Sequence, residues 1–95
     1  MSITGTDIFN FKSKTECDKY IASHKDFMQT LEIEGIEEIH WVRATPESLL
    51  IFSILKSKEH ANVTKGIANK WREQHDFGIH DTLIFDGELI GSFRN

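Results

Sequence analysis

The sequence predicts an α+β domain of order β-α-β-β-α-β, with four antiparallel strands in one sheet and two helices on one of its faces. Three observations predict it. Two stretches repeat apolar residues at three- and four-residue steps, the helical period, and short β-branched or aromatic runs flank them. Residues 49–55 are apolar at six of seven positions, as expected of a strand covered on both faces. The chain has 95 residues, 39% hydrophobic and 27% charged, which fits one folded domain spanning 1–95 and excludes a disordered chain.

The elements follow in order. Residues 3–12 are rich in β-branched and aromatic side chains and read as the first strand. Ser13 and Glu16 have capping-box spacing, which opens a helix by satisfying orphan backbone N–H groups. Cys17, Tyr20, Ile21, His24, Phe27/Met28 and Leu31 then trace its apolar stripe, and Gly35 is its expected stop. Residues 36–45 alternate loosely as a second strand, Thr45-Pro46-Glu47-Ser48 makes a tight turn, and 49–55 is the third strand. Ser57 is an N-cap for the second helix, whose stripe is Val63, Ile67 and Trp71 and which runs to about His75 before Phe77-Gly78 breaks it. Thr82 to Phe85 is the fourth strand. Asp86-Gly87 reads as a hairpin turn, after which 88–93 could return as a short extra strand.

Helices in this arrangement cover one sheet face only. The third strand presents Leu49, Ile51 and Leu55 to one face and Leu50, Phe52 and Ile54 to the other, and Leu83 and Phe85 flank Ile84 in the same way. Exposing three such side chains forfeits about 1.5–3 kcal/mol each, a sum comparable with the whole stability of a small domain, about 5–15 kcal/mol. A second copy of the chain is the economical cover, so a homodimer joined through its sheets is expected.

In element order, in length, in its two-sided strands and in the helix–Gly–strand–turn–strand run from Phe27 to Leu55, the chain resembles the dimeric α+β barrel proteins, a ferredoxin-like superfamily. It is most similar to antibiotic-biosynthesis-monooxygenase-like and stress-responsive barrel members. The resemblance implies two sheets packed at a dimer centre and a ligand cavity between each sheet and its own helices. Monooxygenase members use asparagine, tryptophan, tyrosine and arginine near an aromatic substrate, types that Asn10, Trp71, Tyr20 and Arg43 supply. Haem-degrading members use an asparagine of the first strand with a tryptophan and a histidine of the second helix. Asn10 and Trp71 fall in matching elements, but His75 follows Trp71 too closely for that signature, and no cofactor is expected.

Composition narrows the partners. Fifteen acidic against eleven basic residues give a formal charge of −4, which repels a phosphate backbone, so no nucleic acid is expected. Basic residues concentrate in 56–72 and acidic ones in 32–47, which reads as solvated faces of opposite sign. Cys17 is the single cysteine, a small buried apolar residue in a reducing compartment. The N-terminal residues lack an export signal and no apolar run approaches the roughly 20 residues of a membrane span, so a cytoplasmic protein without a membrane span is expected.

The candidate site lies between helices and sheet. His24 stands on the apolar stripe of the first helix and should point at the sheet, where its imidazole needs a partner such as a backbone carbonyl or Tyr20. It is either a satisfied core histidine or the polar anchor of an apolar cavity. Tyr20, Met28 and Trp71 share that space. Trp41 and Arg43 join it only if their face of the second strand meets the helices, in which case Arg43 could meet an anionic head group and Phe9 or Phe11 could wall a channel. His75-Asp76 and His80-Asp81 straddle a helix end and a strand start without a third pair, so no metal is expected. The reading is a homodimer that binds an apolar or elongated small molecule with a polar head. A cofactor-independent monooxygenase and an interaction module without ligand are the alternatives.

Overall fold

The computed structural model describes residues 2–30 and 34–94. Its elements are β1 (Ile3–Phe11), α1 (Lys14–Thr30), β2 (Ile36–Thr45), β3 (Ser48–Leu55), α2 (Lys58–Glu73) and β4 (Ile79–Glu88), in the predicted order. The strands form one antiparallel sheet ordered β2-β3-β1-β4, so β1 and β3 lie in its centre and β2 and β4 at its edges. Leu31, expected at the end of the first helical stripe, lies outside the described residues.

The caps form where residue types require them. The Ser13 hydroxyl accepts from the Glu16 backbone N–H at 3.2 Å, while the Glu16 side chain does not return the bond: its Oε2 is buried without a partner, against Gly78. Ser57 caps α2 by accepting from the His60 N–H at 3.3 Å. Gly35, at φ +91°, turns the chain into β2, a backbone conformation L side chains rarely adopt.

Register decides which side chains face the helices. Phe9 lies opposite Leu49 and Thr82, Asp7 opposite Ile51 and Ile84, and Gly5 opposite Ser53 and Asp86. Trp41 lies opposite Ile51, which puts Ile39, Trp41 and Arg43 on the helix side as well. The core of Phe9, Phe11, Cys17, Tyr20, Leu49 and Ile51 fills the space between this face and the helices. The other face carries Ile8, Leu50, Phe52 and Ile54 in the centre, with Val42, Leu83 and Phe85 still 48%, 56% and 49% exposed.

Four expectations are corrected. β4 is ten residues long, not four, because β1 offers it a partner along its whole length. Asp86 and Gly87 are therefore ladder residues opposite Gly5 and Thr4, not a turn. Residues 89–94 form no strand; one backbone bond, Leu89 N–H to Ser2 C=O at 3.1 Å, continues the pairing. Finally, the inward stripe of α2 is rotated from the expected one. Val63 is 59% exposed, and the small residues Ala61, Thr64 and Ala68 face inward with Arg72.

Candidate functional site

The space between helices and sheet has a filled end and an open end. At the filled end Tyr20 is fully buried, with ring centroids of Phe9 and Phe11 at 5.3 Å, Phe77 at 5.0 Å, His24 at 5.6 Å and Trp71 at 5.7 Å. Edge-on and tilted rings at these separations are mutually attractive as well as water-excluding. Trp71 stacks on Phe27 at 4.6 Å and closes this end.

The open end holds a cavity of about 60 Å³. It exists because the residues around it are small: Ala61, Thr64 and Ala68 on α2, and Gly5 and Ser53 on the strands beneath. A methyl group at Gly5 would come within 2.9 Å of Ser53 Oγ, so the floor is tight at that point. The walls are otherwise apolar, from Met28, Ile36, Ile39, Ile51, Leu55 and Ile84, with Asp7, His24, Lys65, Arg72 and Asp86 at the rim and ends. A wider groove of about 800 Å³ outside α1, lined by Lys12, Glu16, Lys19, His75 and Asp76, is open and charged and lacks this apolar enclosure.

His24 is held from one side. The Trp41 indole N–H donates to His24 Nδ1 at 2.9 Å, so the neutral ring carries its proton on Nε2. Burial pushes the imidazole down to about 4, helped by the Arg72 charge, which keeps it neutral at physiological pH. The partner is thus Trp41, not a backbone carbonyl or Tyr20; Tyr20 contributes a stacked ring instead. Burial also pushes the Tyr20 phenol up to about 12, against the opposing charge of Arg72. Arg72 lies close to that hydroxyl without the geometry of a hydrogen bond, and the Tyr20 hydroxyl, Thr64 Oγ1 and Arg72 Nη1 are all buried without a partner among the described residues. Native interiors leave few such atoms unpaired.

The charged groups around the cavity are unequally served. Asp86 takes Lys65 at 2.8 Å and Lys58 at 3.0 Å, and these bonds hold its carboxyl below the usual range. Asp7, on the central strand, is raised by burial although the Arg72 charge opposes the rise. Arg72 itself lies over the Phe9 ring at 5.2 Å and donates to Asn69 Oδ1.

Of the residues expected at the site, the structure brings together His24, Tyr20, Trp71, Phe9, Phe11 and Met28. Phe9 and Phe11 pack the filled end and do not wall a channel. Asn10 is on the opposite face of the sheet, where its Oδ1 accepts from Ser48 Oγ at 2.5 Å. Arg43 faces the helices but is spent at the edge, on Asp18 at 2.5 Å, the Pro46 carbonyl at 2.9 Å and the buried Cys17 sulfur at 3.6 Å. The residues not foreseen are Asp7, Thr64 and Arg72. The signal for Thr64 and Arg72 was the small-residue spacing Ala61-Thr64-Ala68, which continues at helical steps to Arg72, and that for Asp7 was the strand face it shares with Phe9 and Phe11.

A four-stranded antiparallel sheet with two helices on one face, connected in this order, is the ferredoxin-like α+β fold. No family model matches the chain, and no curated protein matches its sequence. Solved structures do match its shape. A dimeric ferredoxin-like protein from an uncultured marine organism superposes with a TM-score of 0.77 at 14% identity, covering 99% of this chain and 92% of that one. A monooxygenase of Streptomyces coelicolor, solved with the ligand nanaomycin D, gives 0.74 at 11% identity over 99% and 92%. SnoaB, a cofactor-independent oxygenase from Streptomyces nogalater, gives 0.70 at 10% identity over 99% and 98%. Identities this low establish the fold and nothing finer. Among the described residues no helix is long and apolar enough to cross a membrane.

Proposed function

We propose that the chain acts as a homodimer that binds a small apolar molecule with a polar end in the cavity between its sheet and helices. One observation carries the ligand reading: two polar atoms of the residues lining an apolar cavity, Arg72 Nη1 and Thr64 Oγ1, are buried without a partner among the described residues. Apolar walls with a few convergent polar groups are the usual composition of a ligand site. At about 60 Å³ the cavity takes the head of such a molecule, and a larger body must extend along Met28 and Ile36 or displace α2.

The dimer reading is supported by the uncovered sheet face. Val42, Leu83 and Phe85 are each about half exposed around the Leu50, Phe52 and Ile54 row, a contiguous apolar patch that a two-fold copy would cover. The dimeric solved structure of the same fold agrees with it. The cofactor-independent oxygenase reading has less support, because Asn10 and Arg43 do not join Trp71 and Tyr20 at one place.

Native mass spectrometry of the purified protein, followed by solvent extraction, tests both halves. The expected result is a dimer mass with a small molecule that extraction releases. A monomer at micromolar concentration contradicts the dimer, and a clean protein mass with nothing extractable favours an interaction module without ligand.

A further inference from the structure

We infer that the cavity selects molecules presenting an uncharged hydrogen-bond donor and acceptor side by side, as the edge of a lactam does, with the donor turned to Asp7 and the acceptor to Arg72. This rests on the reading of the cavity as a ligand site and adds the chemistry that it takes.

Asp7 rises from the middle of β1 and Arg72 descends from the last turn of α2, and both line the same space. Arg72 is near enough for its charge to be felt at Asp7, yet no ion pair joins them among the described residues. Among the described residues Asp7 accepts no side-chain hydrogen bond, and Arg72 Nη1 is buried without an acceptor. The two are held apart by their other contacts. Arg72 is fixed over Phe9, onto Asn69 and close to the Tyr20 hydroxyl, and Asp7 is fixed by the ladder between Ile51 and Ile84.

An acceptor and a donor of opposite charge therefore face one small space without meeting. An anionic ligand would pair with Arg72 but lie against Asp7, and a cationic one would pair with Asp7 but lie against Arg72 and Lys65. A neutral edge with one donor and one acceptor bonds both groups and leaves their charges balancing each other.

The test is an NMR titration of the full chain with three ring probes of similar size, followed at the indole N–H of Trp41, which bonds the cavity residue His24. The probes are 2-pyridone, which has the N–H and C=O side by side, 1-methyl-2-pyridone, which lacks the donor, and fluorobenzene, which lacks both. The expected result is binding of 2-pyridone about tenfold or more tighter than either control, the scale of one buried hydrogen bond lost. Arg72→Met and Asp7→Leu should each erase that preference. If either variant does not fold, the ranking on the unmodified chain decides alone. Fluorobenzene or 1-methyl-2-pyridone binding as tightly as 2-pyridone overturns the donor–acceptor selection and leaves the ligand site standing. No shift with any probe overturns the selection and the ligand site together.

Discussion

The two ends of the layer between sheet and helices are built from the same two helices and the same strands, yet one is packed and the other is not. At the Tyr20 end, side chains are large and interlocked, and every ring has another ring against it. At the Arg72 end, the inward positions of α2 are Ala61, Thr64 and Ala68, and β1 and β3 offer Gly5 and Ser53 below them. Aromatic residues fill one end, and small residues leave room at the other, where Thr64 Oγ1 and Arg72 Nη1 are buried without a partner among the described residues. A domain this small has few side chains to place, so room left at the Arg72 end is a commitment of the sequence.

The comparison breaks most visibly under Tyr20→Ala. Removing a fully buried ring from the filled end should cost about 3–5 kcal/mol in chemical denaturation. A loss below 1 kcal/mol, by order of magnitude, would mean that this end is not the one that holds the fold.

Acid acts through His24, where the rings of the filled end meet the cavity lining. His24 lies near 4 in the fold against 6.5 for a free imidazole, so as pH falls the unfolded chain takes the proton first. Its contribution is therefore intact above about 6.5 and is lost down to about 4, a total of about 3 kcal/mol. Asp86, held low by Lys65 and Lys58, adds its own loss only at lower pH, while Asp7, raised by burial, acts in the opposite sense. Stability measured against pH should fall through that window in the natural chain and flatten there in His24→Gln.

Trp41→Phe keeps an aromatic side chain, though a smaller one, but removes the donor to His24 Nδ1 and should cost about 1–3 kcal/mol, since a buried acceptor is left unpaired. Thr64→Val should do the reverse. Its hydroxyl oxygen has no partner among the described residues, so replacing it with a methyl group is expected to be neutral or to stabilise by up to about 1 kcal/mol. A clear destabilisation would show that the hydroxyl is bonded in solution.

Much of this was legible in the residues. The run Leu49 to Leu55 announced a strand with two apolar faces, and His24 on the stripe of Tyr20 and Met28 announced a polar group turned to the sheet. Its partner was not legible. Trp41 and His40 sit on opposite faces of a loosely alternating strand, and only the pairing of Trp41 with Ile51 decides which one meets the helices. The rim was missed for a different reason. A stripe read from large aliphatic residues points α2 through Val63, whereas close helix–sheet packing draws small residues inward and leaves Val63 in solvent. Asn10 failed as a site residue through the strand's two-residue period: Phe9 and Phe11 claim the helix face, so Asn10 must take the other.

The proposed ligand sits in the space left by the small residues of α2. Ala68→Leu fills that space from the helix, on the side of the sheet away from its open face. The most direct measurement compares the native masses of the natural chain and this variant, purified side by side. Both should be dimers, with the extra small-molecule mass present in the natural chain and absent from Ala68→Leu. The same extra mass retained by a folded Ala68→Leu dimer, or absent from both, would contradict it.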